Sequence, residues 1–218
     1  LIRSFSDRNT DVHRNVVTAF ERLGDKVFKE LVRCIEGEDL ELRRNAALAL
    51  AEMKDERGVD YIVMLMEDTD ESARACAAEA LGSFPGLKAR TMLNEALSDN
   101  SLKVRLAAIK AIGALDSEAD ALTLMAHSGK VRDEREARTI KRTLGEMALD
   151  NPDLFIGLFR HEQSAIKTMA CDALVAAGME TMARLTQVAT ESQDETVVFW
   201  CKKAMKQIKQ PRENMYYG

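Results

Sequence analysis

The sequence predicts an all-α fold in which about seven helical-hairpin repeats stack side by side as a right-handed superhelix, an α-solenoid. Apolar positions recur every thirty to thirty-two residues along the 218-residue chain, and each period holds two stretches of helix length. Apolar residues make up 46% of the chain but aromatic residues only 5%, because alanine, leucine and methionine, which favour helices, supply most of them. One such hairpin cannot bury its apolar face alone, so each repeat must pack on its neighbours.

The second helix of each repeat carries apolar residues at relative positions 0, 4, 8 and 11, which form one stripe on an α-helix. In the fourth repeat these residues are Val104, Ala108, Ile112 and Leu115. Position 8 falls in successive repeats on Phe20, Leu50, Leu81, Ile112, Leu144, Leu174 and Met205. This register predicts second helices near residues 9–24, 39–54, 70–84, 101–115, 133–148, 163–177 and 194–209.

Polar residues mark where the second helices begin. Three residues before the stripes stand Asn9, Asp39, Asp70, Ser101, Asp133, Gln163 and Asp194, and six of these seven are good N-caps. Position 1 is Arg43, Arg74 and Arg105 in three consecutive repeats. We expect structural ion pairs of Arg43 with Asp39 and of Arg74 with Asp70, four residues apart, or bridges from these arginines to the next repeat.

The first helices are predicted over residues 26–35, 57–66, 87–97, 118–127, 152–159 and 180–189, with Pro152 at a helix start. Gly82, Gly113 and Gly145 recur at position 9 of the second helices, which predicts close backbone packing there. The repeats form a single array over residues 1–209, and residues 210–218, which lack the register, form a C-terminal tail. Because the chain starts at Leu1 rather than Met and the array begins in mid-repeat, we expect the chain to be a piece of a longer protein or a trimmed form of it.

Composition limits the environment and the partners. The net charge of −5 and the pI near 5.4 argue against a general nucleic-acid coat. Four cysteines lie inside predicted helices without CxxC spacing, which favours core thiols in a reducing compartment. No apolar run is long enough to cross a bilayer, so we predict a cytoplasmic protein without a membrane partner.

The repeats resemble a known family. The segments Ser72–Gly82 and Leu102–Gly113 are similar to the short HEAT-like repeats that are also found in phycobilin lyase subunits. The resemblance covers nearly the whole chain and implies the α-solenoid fold, but this repeat serves many unrelated binding tasks. A bilin lyase-like role would imply a tetrapyrrole and a phycobiliprotein partner, and no residue supports it specifically. The first, fifth and seventh repeats depart most from the pattern, for example with Glu136 at the first core position.

Catalytic chemistry is not indicated. Deoxyhypusine hydroxylase is a HEAT-like relative that binds a di-iron centre through several His-Glu pairs, but this chain has one such pair, His161-Glu162. The other histidines, His13 and His127, lie in different repeats, so a multi-histidine metal site cannot form. Cys76 has no histidine nearby to generate a thiolate, which favours a core role. We predict no catalytic residue, no metal, no cofactor and no enzymatic activity.

Positions 2, 6 and 9 of the second helices point away from the apolar stripe and are expected to line the concave side of the array. They hold seven basic and three acidic residues, although ordinary solvated positions with a chance excess are an equal alternative. We interpret this face as a scaffold surface that holds an acidic or amphipathic segment of another protein. The expected partner-binding residues are Arg14, Arg44, Leu48, Leu106, Lys110, Arg138, Arg142, Phe199 and Trp200.

Nucleic-acid binding through the same basic residues is the alternative function. HEAT-like DNA glycosylases use a strongly basic groove for this purpose, and their positive excess is far larger than the one found here. Phe199 and Trp200 are adjacent on the last second helix, where they either form an interface or are shielded by Met215, Tyr216 and Tyr217.

Overall fold

The chain is all-α over the residues that the structure describes. The computed structural model describes residues 2, 16, 18–20 and 22–210, and this part of the chain contains no β-strand. Its complete α-helices are α1 (Asp25–Glu36), α2 (Leu40–Glu52), α3 (Val59–Leu65), α4 (Glu71–Leu81), α5 (Leu87–Ala96), α6 (Leu102–Ala114), α7 (Glu118–Ser128), α8 (Glu134–Asp150), α9 (Pro152–Gly157), α10 (Ser164–Ala177), α11 (Met182–Glu191) and α12 (Glu195–Lys209).

The odd-numbered helices are the first helices of the repeats and the even-numbered helices are the second helices. Short 3-10 segments add to three first helices, at Glu56–Gly58 before α3, Leu158–Arg160 after α9 and Gly178–Thr181 before α11. Most of the second helix predicted near residues 9–24, including Asn9 and Arg14, and residues 211–218 of the predicted tail lie outside the described residues.

The helices divide into two compact units, Leu1–Leu115 and Asp116–Gly218. In the first unit α2, α4 and α6 pack in succession, while α1, α3 and α5 form a second layer that packs on them. In the second unit α8, α10 and α12 pack in succession, and α7, α9 and α11 each pack on the second helix of their own repeat. The helical-hairpin repeat is thus the unit of packing within each of the two parts.

Most of the predicted N-cap residues begin the second helices. The carboxylates of Asp39, Asp70, Asp133 and Asp194 accept hydrogen bonds from backbone N–H groups in the first turns of α2, α4, α8 and α12. Ser101 stands at the N-cap of α6, but its hydroxyl donates to Glu71 Oε2 in the preceding repeat, at 2.6 Å. Because the four aspartates satisfy donors that the helix leaves open, they fix where α2, α4, α8 and α12 begin.

The apolar stripe forms the core of each unit. Leu50, Leu81 and Leu174, all at position 8, are completely buried. The small residue at position 4 is also completely buried in α2, α4, α6, α10 and α12, where it is Ala46, Ala77, Ala108, Ala170 and Cys201. Small side chains at this position let packed helices approach to about 8–10 Å between their axes.

Glycine at position 9 permits the closest approach between successive second helices. A Cβ atom added to Gly82 in the α4 C-cap would lie 3.0 Å from both Cα and Cβ of Ala111 in α6. A Cβ atom added to Gly145 in α8 would lie 3.0 Å from Cβ of Ala176 in α10. The predicted close backbone packing is therefore confirmed at these two glycines.

Gly82 and Gly157 form a matched pair for substitution because both have helical backbone angles in different surroundings. We expect Gly82→Ala to lower the free energy of unfolding by about 1–3 kcal/mol, since the new methyl group pushes α4 away from α6. Gly157→Ala should raise it by about 0.5–1 kcal/mol, because a Cβ atom there meets nothing within 4 Å. Chemical denaturation measures both changes; equal stabilisation by the two substitutions would contradict the packing argument.

In the fifth repeat a buried glutamate replaces the apolar residue at the first stripe position and pairs with a histidine. Glu136 in α8 takes the first stripe position and is only 4% exposed. Its Oε1 atom lies 2.8 Å from Nε2 of His127 in α7, which is also largely buried. A buried carboxylate costs free energy unless a partner compensates it. His127 is that partner, so both residues are structural.

Candidate interaction surface

One face of the first unit brings together four of the residues predicted to bind a partner. Arg44 and Leu48 lie on α2, and Leu106 and Lys110 lie at the equivalent positions of α6. The arginine and the lysine are exposed and both leucines are half-buried. Since α4 packs between α2 and α6, these side chains flank it at a separation of roughly 16–20 Å between the outer helix axes. We call this set of four residues the α2–α6 face.

The middle of this face is shallow because α4 contributes small residues. Ala75, at position 2 of α4, is buried, and Gly82 has no side chain. Glu79, at position 6, is exposed and adds a negative charge between the two basic residues. The α2–α6 face therefore combines a low centre with longer apolar and basic side chains on both flanks.

Position 9 is not part of an open surface in α2, α4 and α8. Ala51 and Gly145 are buried, and Gly82 lies against Ala111. The helical wheel of one helix places position 9 opposite the core stripe, but in α4 and α8 the neighbouring second helix packs against it. The predicted face is accordingly narrower in these helices and consists of positions 2 and 6.

A row of arginines links successive repeats beside this face. Arg74 donates from Nε and Nη2 to the two carboxylate oxygens of Asp99, at 2.8 and 3.0 Å, and from Nη1 to the carbonyl oxygens of Asp68 and Thr69. One repeat earlier, Nε of Arg43 lies 3.1 Å from Oδ2 of Asp68 as an ion pair. The hydrogen bonds from Arg74 hold the pKa of Asp99 below its usual value.

Both arginines form ion pairs with aspartates of the next repeat, which is one of the two arrangements predicted from the sequence. Arg43 and Arg74 reach the turn of the next repeat, while the carboxylate of Asp70 accepts from the N–H groups of Ser72 and Ala73. Asp99 is itself positioned by accepting the N–H of Ser101, at 2.7 Å. The arginines therefore stabilise the stack and are not available to a partner.

In the second unit Arg138 and Arg142 of α8 each have an acidic partner. Arg138 Nη2 lies 3.2 Å from Glu134 Oε2, and Arg142 Nε lies 3.6 Å from Glu146 Oε1. Both pairs join residues four apart on an exposed helix surface, so each contributes little to stability. They do reduce the positive charge that Arg138 and Arg142 were predicted to offer.

Phe199 and Trp200 have opposite environments. The Phe199 side chain is 60% exposed, whereas Trp200 is only 8% exposed and stacks on Phe159, with ring centroids 5.8 Å apart. Consecutive residues of a helix differ by about 100° in direction, so only one of two neighbours faces solvent. Trp200 is a core residue and we do not retain it among the partner-binding residues.

The basic side of α12 extends beyond the positions that sequence analysis selected. Lys202, Lys206 and Lys209 are exposed, and Lys203 Nζ lies over the Trp200 ring, 4.1 Å from its centroid. The sequence already shows that all four lysines lie in the C-terminal half of α12. Lys202 and Lys209 stand at positions 5 and 12 of the repeat, outside the predicted positions 2, 6 and 9.

A family comparison matches this repeat architecture. The model of HEAT repeats matches residues 1–82 and 62–145. The chain belongs to the HEAT-repeat family. The predicted HEAT-like α-solenoid is therefore confirmed, whereas a search of curated proteins gives no match.

Solved structures include several that are similar to this HEAT-repeat chain. YibA of Escherichia coli has 16% identity and a TM-score of 0.50, with 94% of this chain and 80% of YibA covered. The complex of CpcE and CpcF of phycocyanin lyase from Nostoc sp. PCC7120 has 21% identity and a TM-score of 0.49, with 81% and 75% covered. Human deoxyhypusine hydroxylase has 16% identity and a TM-score of 0.38, with 95% and 93% covered. At these identities the YibA likeness concerns the fold alone.

The cysteines of the HEAT repeats lie in environments that disfavour a thiolate. Cys76 is buried, its Sγ donates to the carbonyl oxygen of Arg44 at 3.3 Å, and burial raises its pKa to about 11. Burial likewise raises the pKa of Cys171 and of Cys201 to about 11. A neutral, buried thiol is a poor nucleophile, and Cys76 serves to join α2 to α4.

The single His-Glu pair of this HEAT-repeat chain has a structural use. His161 Nδ1 accepts the backbone N–H of Gln163 at 3.1 Å, just as Asp68 accepts from Asp70 at the equivalent turn. Among the described residues, which exclude His13, no group of three or more His, Cys, Asp and Glu side chains is placed to hold a metal ion. Within the same residues, no helix has both the length and the apolar character of a membrane span.

Proposed function

We propose that this HEAT-repeat chain is a non-catalytic scaffold that binds a segment of another protein on the exposed side of its second helices. The observation that carries the proposal is the α2–α6 face, on which Arg44, Leu48, Leu106 and Lys110 flank the small residues of α4. Exposed basic groups beside half-buried leucines are suited to a partner with both acidic and apolar residues. HEAT repeats in general present surfaces of this kind to partners.

Charge supports an acidic or amphipathic segment as the occupant. Neither Arg44 nor Lys110 forms an ion pair with another described residue, so both charges can attract carboxylates. Leu48 and Leu106 offer apolar area that an interacting side chain would remove from water. Electrostatic attraction of this kind mainly increases the association rate and weakens with salt.

The proposal includes the absence of enzymatic activity and a cytoplasmic location. The buried, neutral thiols of Cys76, Cys171 and Cys201 support both, because none is placed for catalysis and all are unpaired with one another. Unpaired cysteines are typical of proteins in reducing compartments.

A capture experiment tests the scaffold. The tagged chain would be compared, in lysate of source cells with and without nuclease treatment, with an Arg44→Glu/Lys110→Glu variant and a Leu48→Ser/Leu106→Ser variant. The control is Lys26→Glu/Lys29→Glu, which makes the same charge change on exposed positions of α1. We expect a protein that the wild type and the control retain and that both face variants lose. Calorimetry with the purified partner should give the same order of affinities.

Two results would count against the proposal. If the Arg44→Glu/Lys110→Glu variant recovers every partner as well as the wild type does, the α2–α6 face does not bind the partner. Recovery that disappears with nuclease treatment would favour nucleic-acid binding instead, and affinity would then fall steeply with salt concentration.

A further inference from the structure

We infer that one face of α12 binds a short acidic segment of a partner protein, with Phe199 receiving an apolar residue of that segment. The α12 face consists of Phe199, Lys202, Lys203, Lys206 and Lys209. The inference rests on the proposed function only in taking the partner to be a protein. It uses a surface in the second unit that shares no residue with the α2–α6 face.

The spacing of the five residues places them on one side of α12. They stand at i, i+3, i+4, i+7 and i+10, and residues with these separations are neighbours along an α-helix. The lysines extend from Phe199 towards the end of the helix over about 15 Å, since a helix rises about 1.5 Å per residue. The face therefore has an aromatic end and a basic end.

The charge of this face is opposite to that of the whole protein. α12 carries four lysines and a single acidic residue, Glu195, while the chain has a net charge of −5. None of the ion pairs among the described residues involves Lys202, Lys206 or Lys209. The positive charges of these three lysines therefore repel one another, and carboxylates of a bound segment would reduce that repulsion.

Phe199 is both accessible and held in place. Its ring packs edge-on against the buried Trp200, with centroids 5.7 Å apart and an interplanar angle of 87°. Trp200 in turn stacks on Phe159 of the core. A ring supported in this way loses little freedom when a ligand covers it, so more of the contact energy appears as affinity.

The same chemistry favours a short peptide over nucleic acid. A polynucleotide carries continuous negative charge beyond the length of the four lysines, where it would meet a protein of net charge −5. Binding of single strands also uses several aromatic platforms, and on α12 only Phe199 is an exposed aromatic. An acidic segment with one apolar side chain matches both the extent and the composition of the face.

Fluorescence anisotropy with defined probes tests this inference on the full chain. The main probe is a short labelled peptide of glutamate and aspartate with one central phenylalanine, and the second probe has serine at that position. We expect Lys202→Glu/Lys206→Glu/Lys209→Glu to weaken binding of both peptides by at least about tenfold. Phe199→Ser should weaken only the apolar-containing peptide, by about fivefold.

A matched control separates a local effect from net charge. Lys130→Glu/Arg132→Glu/Lys141→Glu makes the same charge change at exposed positions of the second unit and should leave affinity within about twofold. Arg44→Glu/Lys110→Glu should also leave it unchanged, so this test and the test of the α2–α6 face can fail independently. All substituted side chains are exposed, and thermal unfolding followed by circular dichroism verifies that each variant is folded.

Three results would overturn the inference. The first is equal loss of peptide binding in the α12 variant and the control variant. The second is tighter binding of a single-stranded thymidine oligonucleotide than of either peptide. The third is a gain of about tenfold in peptide affinity when the chain ends at Gln210, which would make residues 211–218 the occupant of the face.

Discussion

Replacing Arg74 with alanine should lower the free energy of unfolding by about 3 kcal/mol. The substitution removes two hydrogen bonds to Asp99 and two to the carbonyl oxygens of Asp68 and Thr69. It also leaves the Asp99 carboxylate, 14% exposed, without its main cation. An unpaired charge at a largely buried position costs more than the pair contributes. Urea denaturation followed by circular dichroism measures the change.

The pH dependence identifies Asp99 as the cause. Because the folded pKa of Asp99 is lowered, its contribution to stability is present above the unfolded pKa of about 3.8 and is lost as pH falls through the folded value. The stability difference between wild type and Arg74→Ala should therefore be full at neutral pH and shrink below that value. Arg74→Lys should be intermediate, since lysine cannot make the two-pronged contact. A constant difference at all pH values would contradict this account.

Replacing Trp200 with alanine should lower the free energy of unfolding by about 3–5 kcal/mol. The indole is buried against Phe159 and supports both the Phe199 ring and the Lys203 ammonium. Its loss leaves a cavity between α12 and the 3-10 segment that carries Phe159. The measurement is thermal or urea unfolding by circular dichroism, because Trp200 is the only tryptophan and the variant has no indole fluorescence.

Phe199→Ala is the matched control, because it deletes an aromatic ring at the adjacent position. With 60% of its side chain exposed, Phe199 should contribute less than about 1 kcal/mol to stability. The two substitutions thus separate a folding role from a binding role on one helix. Equal destabilisation by both would mean that Phe199 is part of the core and is not available to a partner.

The repeat period and the helix starts could be predicted because both depend on short-range chemistry. An apolar stripe and a capping aspartate such as Asp70 act within a few residues of the chain. The partners of Arg43 and Arg74 could not be chosen from the sequence, since an aspartate four residues earlier and one in the next repeat are both within reach. Only the packing of α2, α4 and α6 brings Asp68 and Asp99 to these arginines.

The candidate surface was predicted less well because a helical wheel treats each helix alone. It placed Ala51 and Gly145 on an open face, although both are buried and Gly145 lies against Ala176 of the next second helix. The count of basic residues on this face also included Arg138 and Arg142, although Glu134 and Glu146 lie one turn away on the same helix. The latter pairs could have been found by testing spacings of four.

The row of arginines has a consequence for how a gene of this kind can change. Arg74 and Asp99 are separated by 25 residues, as are Arg43 and Asp68, so each link joins fixed positions of adjacent repeats. Duplication or loss of one whole repeat would move an arginine and an aspartate together and would recreate the link with the new neighbour. The array can therefore gain or lose one whole repeat and still have an arginine–aspartate ion pair between the repeats that become adjacent.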